Sequence, residues 1–211
     1  MSSRNLAHVE EELTRIGLLL QHDRELASVT TLVAGGPIKG SWWGHPLGHD
    51  IFRLLGELEL GHGALSAKIV NGKITYVDRR LWQPFLMLVQ HGATTRARTL
   101  SALARSLQKR VVRDGVVQAD ELAASGFATK RELAAAAREL EERLLVHADS
   151  VHTESGAHAK VLQTWERWAS SNAVNVRGSS LEDARAEFAQ AVNRLRQGTN
   201  RPKVPLLDRS A

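Results

Sequence analysis

Cysteine is absent from the 211 residues of this chain. That removes disulfides, thiolate metal sites and a cysteine nucleophile, and it fits a reducing cytoplasm. No apolar run approaches the roughly 18 residues that a membrane-spanning helix needs. The opening MSSRNLAHVEEELTRIG has neither the basic start nor the long apolar stretch of a secretory signal, so a cytoplasmic location is expected. Phosphate loops of the GxxxxGK[ST] type, GxGxxG turns after a strand and GxSxG elbows are also missing. Gly35-Gly36 before Pro37 reads as a helix stop rather than a phosphate cradle. No internal repeat or low-complexity tract stands out. No cofactor is expected, and no enzyme class leaves a catalytic signature.

What is present is an ordinary globular composition, 43% hydrophobic and 24% charged. Its 28 Lys and Arg exceed its 23 Asp and Glu, for a net charge of +5 at pH 7. The excess is local. Between Ser66 and Arg113 stand Lys68, Lys73, Arg79, Arg80, Arg96, Arg98, Arg105, Lys109, Arg110 and Arg113, opposed only by Asp78. A field of one sign over part of the surface points to an anionic partner.

The stretch from Leu100 to Thr164 is the most informative. Leu100, Leu103, Leu107 and Val111 recur at helical spacing up to Asp114-Gly115, a turn pair. Val116-Val117 is long enough for a short strand, and Asp120 to Ala124 for a short helix that Ser125-Gly126 ends. Thr129 with Glu132 three residues on makes a capping-box pattern for a further helix. At about 100° per residue, Leu133, Ala137, Leu140 and Leu144 share its inner face, leaving Arg131, Ala135 and Arg138 opposite. LLVHADSVHT and AHAKVLQT then read as two strands joined through Glu154-Ser155-Gly156. Helix, strand, helix, helix and hairpin in this order is the winged helix-turn-helix, whose second helix of the pair enters the major groove. Arginines separated by alanines suit that groove, and equally suit a solvated helix face. Glu141 and Glu142 confine groove contact to the stretch from Thr129 to Arg138.

Ahead of it, the spacing predicts a packing helix from Asn5 to Gln21 and a short one between Leu26 and Ala34. A third helix carries Ile51, Leu54, Leu55 and Leu58. SAKIVNGKITYV is a hairpin about a type I′ Asn71-Gly72 turn. With two residues in the loop, Ala67, Ile69, Ile74 and Tyr76 share one face, and Lys68, Lys73 and Thr75 the other. Arg79-Arg80 precede the helix LWQPFLMLV. Trp165 and Trp168 fall on one helical face, residues 172–179 read as a linker, and Leu181 to Gln197 as an amphipathic helix capped by Ser180. The tail NRPKVPLLDRSA is irregular unless it docks. The expected fold is therefore mainly α with small β-hairpins, an α+β arrangement with a winged helix-turn-helix and a winged-helix-like unit before it. Four segments are expected: 1–40, packing helices; 41–98, helix, hairpin and helix; 99–171, the winged helix; 172–211, linker, helix and tail.

The strings GSWWGHPLGHDIFRLL, AKIVNGKITYVDRRLW and ERLLVHADSVHTESGAHAKVLQTWERWA, spanning Gly40 to Ala169, resemble a family of largely uncharacterised bacterial proteins. The part with DGVVQADEL is more loosely similar to the crosslink-repair DNA glycosylases built from tandem winged helices. That resemblance implies DNA binding. It would imply base excision only with the glycosylases' Gln-x-Gln motif, which does not occur here.

The candidate DNA-binding residues are Thr129, Lys130, Arg131 and Arg138 on the second helix, Arg105 and Lys109 on the first, Lys68, Lys73, Arg79 and Arg80 around the earlier hairpin, and His152, His158 and Lys160 on the later one. Trp42 and Trp43 are candidates for stacking on an unpaired base, or for pinning a Gly/Pro segment to the core. His147, His152 and His158 are the metal-ligand candidates, although their spacing matches no established signature and polar surface histidines explain them as well. His45 and His49 read as capping or packing residues. Three functions remain open: duplex DNA binding in repair or transcription; a repair enzyme acting on alkylated or crosslinked bases; and a protein-interaction scaffold. A membrane partner is not expected, and either a monomer or a homo-oligomer fits.

Overall fold

The first helix stops short of Gln21 because Gly17 cannot be followed by another helical turn. In the computed structural model, which describes residues 2–61, 64–152, 158–176, 180–195 and 202–207, α1 spans Ser2–Ile16 and ends where Gly17 takes φ 93°. The chain then reverses into β1 (Leu18–Leu20), fully buried, instead of carrying Leu20 on a helix face. A Cβ on Gly17 would lie 2.8 Å from Leu81 Cδ1 and 3.2 Å from Ala191 Cβ. Both the backbone angle and the space require glycine.

The chain is mainly helical, with two small antiparallel sheets. After β1 come α2 (Val29–Ala34), α3 (Gly48–Gly61), β2 (Leu65–Val70), β3 (Lys73–Val77), α4 (Trp82–His91), α5 (Ala93–Ala97) and α6 (Ala102–Asp114). β4 (Val116–Gln118), α7 (Ala119–Ala124), α8 (Lys130–Glu142), β5 (His147–His152), β6 (His158–Gln163), α9 (Trp165–Ser171) and α10 (Leu181–Leu195) follow. No described helix is long and apolar enough to cross a membrane. Two compact units result, Met1–Phe85 with Gly178–Leu207, and Leu86–Arg177 with Asp208–Ala211. The sequence segments 1–40 and most of 41–98 thus share one unit with the C-terminal helix, because the apolar face of α10 supplies part of that unit's core.

In the first unit the sheet order is β1-β3-β2. Val9, Leu13, Ile51, Leu54, Leu58, Ile69 and Tyr76 are buried there together with Phe85 and Phe188, whose rings lie 6.1 Å apart. Asn71 and Gly72 take the left-handed angles expected of the hairpin turn, φ 54° and 68°. Beyond the turn the expected face assignment fails. A bulge between Lys68 and Val70 pairs Lys68 with Ile74 and Ala67 with Thr75, so Ile74 is exposed and Thr75 buried. Thr75 is the cause: its Oγ1 accepts from Val70 N (3.3 Å) and donates to Lys73 O (3.0 Å), taking up the extra residue. The tail docks on this hairpin, where Asn71 N donates to Lys203 O and Lys203 N to Asn71 Oδ1, each 2.8 Å. Val204 and Leu206 are buried beyond it.

The second unit has sheet order β4-β6-β5 and a core of Leu100, Leu107, Val111, Leu122, Leu133, Ala137, Leu140, Val146 and Leu162. Ser101 caps α6 by accepting from Ala104 N, so Leu100 packs just ahead of the helix. Among the described residues Arg96 is buried with no carboxylate paired to it, and burial lowers its pKa to about 10. Its guanidinium donates to Val89 O and to Arg143 O (2.8 Å), while Arg143 Nη1 donates back to Arg96 O (3.2 Å). This exchange fixes the C-terminal end of α8 against α5.

Candidate nucleic-acid interface

Three local devices orient α8. Gly126, at φ 76°, turns the chain out of α7. Thr129 Oγ1 then accepts from Glu132 N (3.3 Å) while Glu132 Oε2 accepts from Thr129 N (3.0 Å), the reciprocal capping box. Thr129's hydroxyl also donates to Glu132, and these bonds hold that carboxyl below its ordinary range. Finally, Leu133, Ala136, Ala137 and Leu140 bury the inner face. Arg131, Ala134, Ala135 and Arg138 are consequently exposed. Among the described residues neither Arg131 nor Arg138 has an ion-pair or hydrogen-bond partner. Lys130 is 79% exposed, with its ammonium 3.5 Å from Asp120, a weak surface pairing.

On α6, Arg105 and Lys109 are exposed one turn apart, with Val112 following on the same side. Arg105 Nη2 donates to Leu100 O at 3.1 Å. Arg110 and Arg113 are both drawn to Asp114, which they hold well ionised. Arg105 and Lys109 are therefore the cations of this helix that have no ion pair among the described residues.

The hairpin β5–β6 is less open than its composition implies. Lys160 donates to Glu141, a buried carboxylate on α8. His147 is also buried. Its ring meets Trp165 edge-on at 5.2 Å and Trp168 at 5.7 Å, and its Nδ1 lies 3.3 Å from Asp149 Oδ2. Burial opposes ionisation of Asp149, but His147 and Gln163 outweigh it and the carboxyl stays below its usual range. No three potential ligands converge on a metal position among the described residues. His152 and His158 pair in register at the end of the hairpin, with side chains outside the described set; Glu154, Ser155 and Gly156 lie outside the described residues altogether.

The remaining candidates belong to the first unit. Lys68 is half-buried. Lys73 Nζ sits 2.7 Å from Asp23, a buried carboxylate that also accepts from the amides of Glu25 and Leu26. Arg79 lies over the Trp82 ring at 5.5 Å, and Arg80 bonds Asp78 Oδ1 at 2.6 Å and Thr14 O. Lys73 and Arg80 thus already have partners in the fold. Trp42 is buried and Trp43 is 59% exposed, the two rings stacked 4.2 Å apart. Only Trp43 offers a face to a ligand, with Trp42 as its backing. Sequence reasoning missed Phe52, exposed 5.2 Å from Trp43. The clue is its position beside Ile51, off the stripe of Ile51, Leu54, Leu55 and Leu58.

Comparison with protein-family models, curated proteins and solved structures finds no match to this chain.

Proposed function

We propose that this chain is a DNA-binding protein whose second unit is a winged helix-turn-helix, with α8 in the major groove and α6 against the backbone. The observation that carries this reading is the pair Arg131 and Arg138. They are exposed, without partners among the described residues, separated by exposed alanines, and on the helix that follows the turn. Unpartnered guanidiniums are the groups a phosphate or guanine edge would take, whereas arginines kept for solubility pair readily with neighbouring carboxylates, as Arg110 and Arg113 do. The order α6, β4, α7, α8, β5, β6 and the sheet order β4-β6-β5 support it further. So does the first unit, where α1, β1, α2, α3, β2 and β3 follow the same order with the matching sheet, β1-β3-β2.

The test is the salt dependence of duplex affinity, measured by anisotropy with a labelled blunt duplex. A linear fall of log K with log salt, at a slope of about −0.9 per neutralised phosphate, is the expected result. No binding at low salt would overturn the reading and leave the protein-scaffold alternative.

A further inference from the structure

The two units repeat one element order and differ in what the second helix of each pair turns outward. On α8 the buried set Leu133, Ala136, Ala137 and Leu140 leaves Arg131, Ala134 and Ala135 exposed. On α3 the buried set Ile51, Leu54, Leu55 and Leu58 has the same spacing, and it leaves His49, Phe52 and Arg53 exposed. Where α8 shows an alanine, α3 shows an aromatic ring, and beside that ring stands Trp43.

This aromatic pair is held in one orientation. Trp43 lies nearly parallel to the buried Trp42, at 22°, and Phe52 flanks it at 40°. The turn beneath is closed by His45 N donating to Trp42 O (3.1 Å), Gly48 N to His45 O (2.7 Å) and Leu47 N to His45 Nδ1 (3.2 Å). At Gly48 a Cβ would stand 2.8 Å from Trp43 O and 3.1 Å from Trp42 O, so glycine lets α3 begin against that turn. The indole is backed by Trp42 and flanked by Phe52, and it is 59% exposed.

We propose that Trp43 and Phe52 form a stacking site for an unpaired nucleobase, so that the first unit takes single-stranded or locally opened DNA; the proposal rests on the nucleic-acid reading above. An exposed indole held in place by a ring behind it suits stacking on a planar base, and such stacking tolerates any base. Two rings fall far short of a stable protein interface, which gathers about 20–30 residues a side. Among the exposed neighbours in sequence are the cation Lys39, the polar His49, and Arg53, whose charge is matched by exposed Asp50 at 2.6 Å. Together with the chain's net charge of +5, this complements a phosphate backbone on either side of the stacked base.

The experiment uses the full chain, Trp43→Leu and Phe52→Leu, with a labelled oligothymidylate and a blunt duplex of equal length. Both substitutions are at exposed positions, and far-UV circular dichroism with urea unfolding reports that each variant is folded. Trp43→Leu should weaken oligothymidylate binding about tenfold or more, with a smaller loss for Phe52→Leu and less than about a twofold change on the duplex. Quenching of tryptophan emission by the oligonucleotide should shrink in Trp43→Leu. Unchanged single-strand affinity in both variants, or equal loss on both probes, overturns the stacking site. Trp43-dependent single-strand binding without any duplex binding supports the site and overturns the α8 reading alone. Binding of neither probe by the unsubstituted chain overturns both.

Discussion

Lys160 on β6 donates to the buried carboxylate of Glu141 on α8, tying the hairpin to the helix whose outer face carries Arg131 and Arg138. A charge that the sequence offers to a ligand is therefore used inside the fold, linking the helix and the hairpin. Replacing Lys160 by Met takes one cation away from that buried carboxylate. A fully buried pair broken in this way costs about 3–5 kcal/mol. Because Lys160 keeps 36% side-chain exposure, a loss of about 2 kcal/mol is expected in urea unfolding. Changing Glu141 to Leu in the same chain should restore much of it, and no recovery in that double variant would contradict the pairing.

Arg131→Gln with Arg138→Gln should weaken duplex binding about 10- to 100-fold and flatten the salt slope by about 2. Stability should change by no more than about 0.5 kcal/mol, because both side chains are exposed. An unaltered dissociation constant, measured by anisotropy at fixed salt, would remove α8 from the contact surface.

Asp23 gives a pH dependence whose direction is set by its partners. Burial works against its ionisation, but Lys73 and the amides of Glu25 and Leu26 prevail, and the folded carboxyl lies below its ordinary value. A depressed carboxyl contributes stability that is fully present above the unfolded pKa of about 3.9 and lost as pH falls through the lower folded value. The stability gap between the unsubstituted protein and Asp23→Asn should thus be constant near pH 7 and close only in acid below about pH 4. A gap that widened in acid, in urea titrations at stepped pH, would reverse the assignment.

Gly17→Ala combines a disfavoured backbone angle with contacts to Leu81 and Ala191. A loss of about 2 kcal/mol or more is expected, seen as a lower urea midpoint without a change in m. A neutral substitution would show that α1 and β1 can meet at another angle.

What the sequence determined by itself was local. The capping box at Thr129, the stripe of Leu133, Ala137 and Leu140, the Asn71-Gly72 turn and the Ser180 cap each depend on neighbours within a turn or two, so their spacing states them outright. Which cations stay free was not written there. Lys73 finds Asp23 50 positions away and Lys160 finds Glu141 19 away, pairings that arise only when strands and helices pack. The same holds for the end of α1, where Gly17 meets Ala191 of α10, and for the bulge that Thr75 takes up in β2–β3. Burying one tryptophan of an adjacent pair and exposing the other was equally a matter of packing, since α3 and its Gly48 decide which ring faces the core. Short-range periodicity sets the faces of the elements; only tertiary packing, by burying some charges and rings and spending others on partners, decides what is left for a ligand.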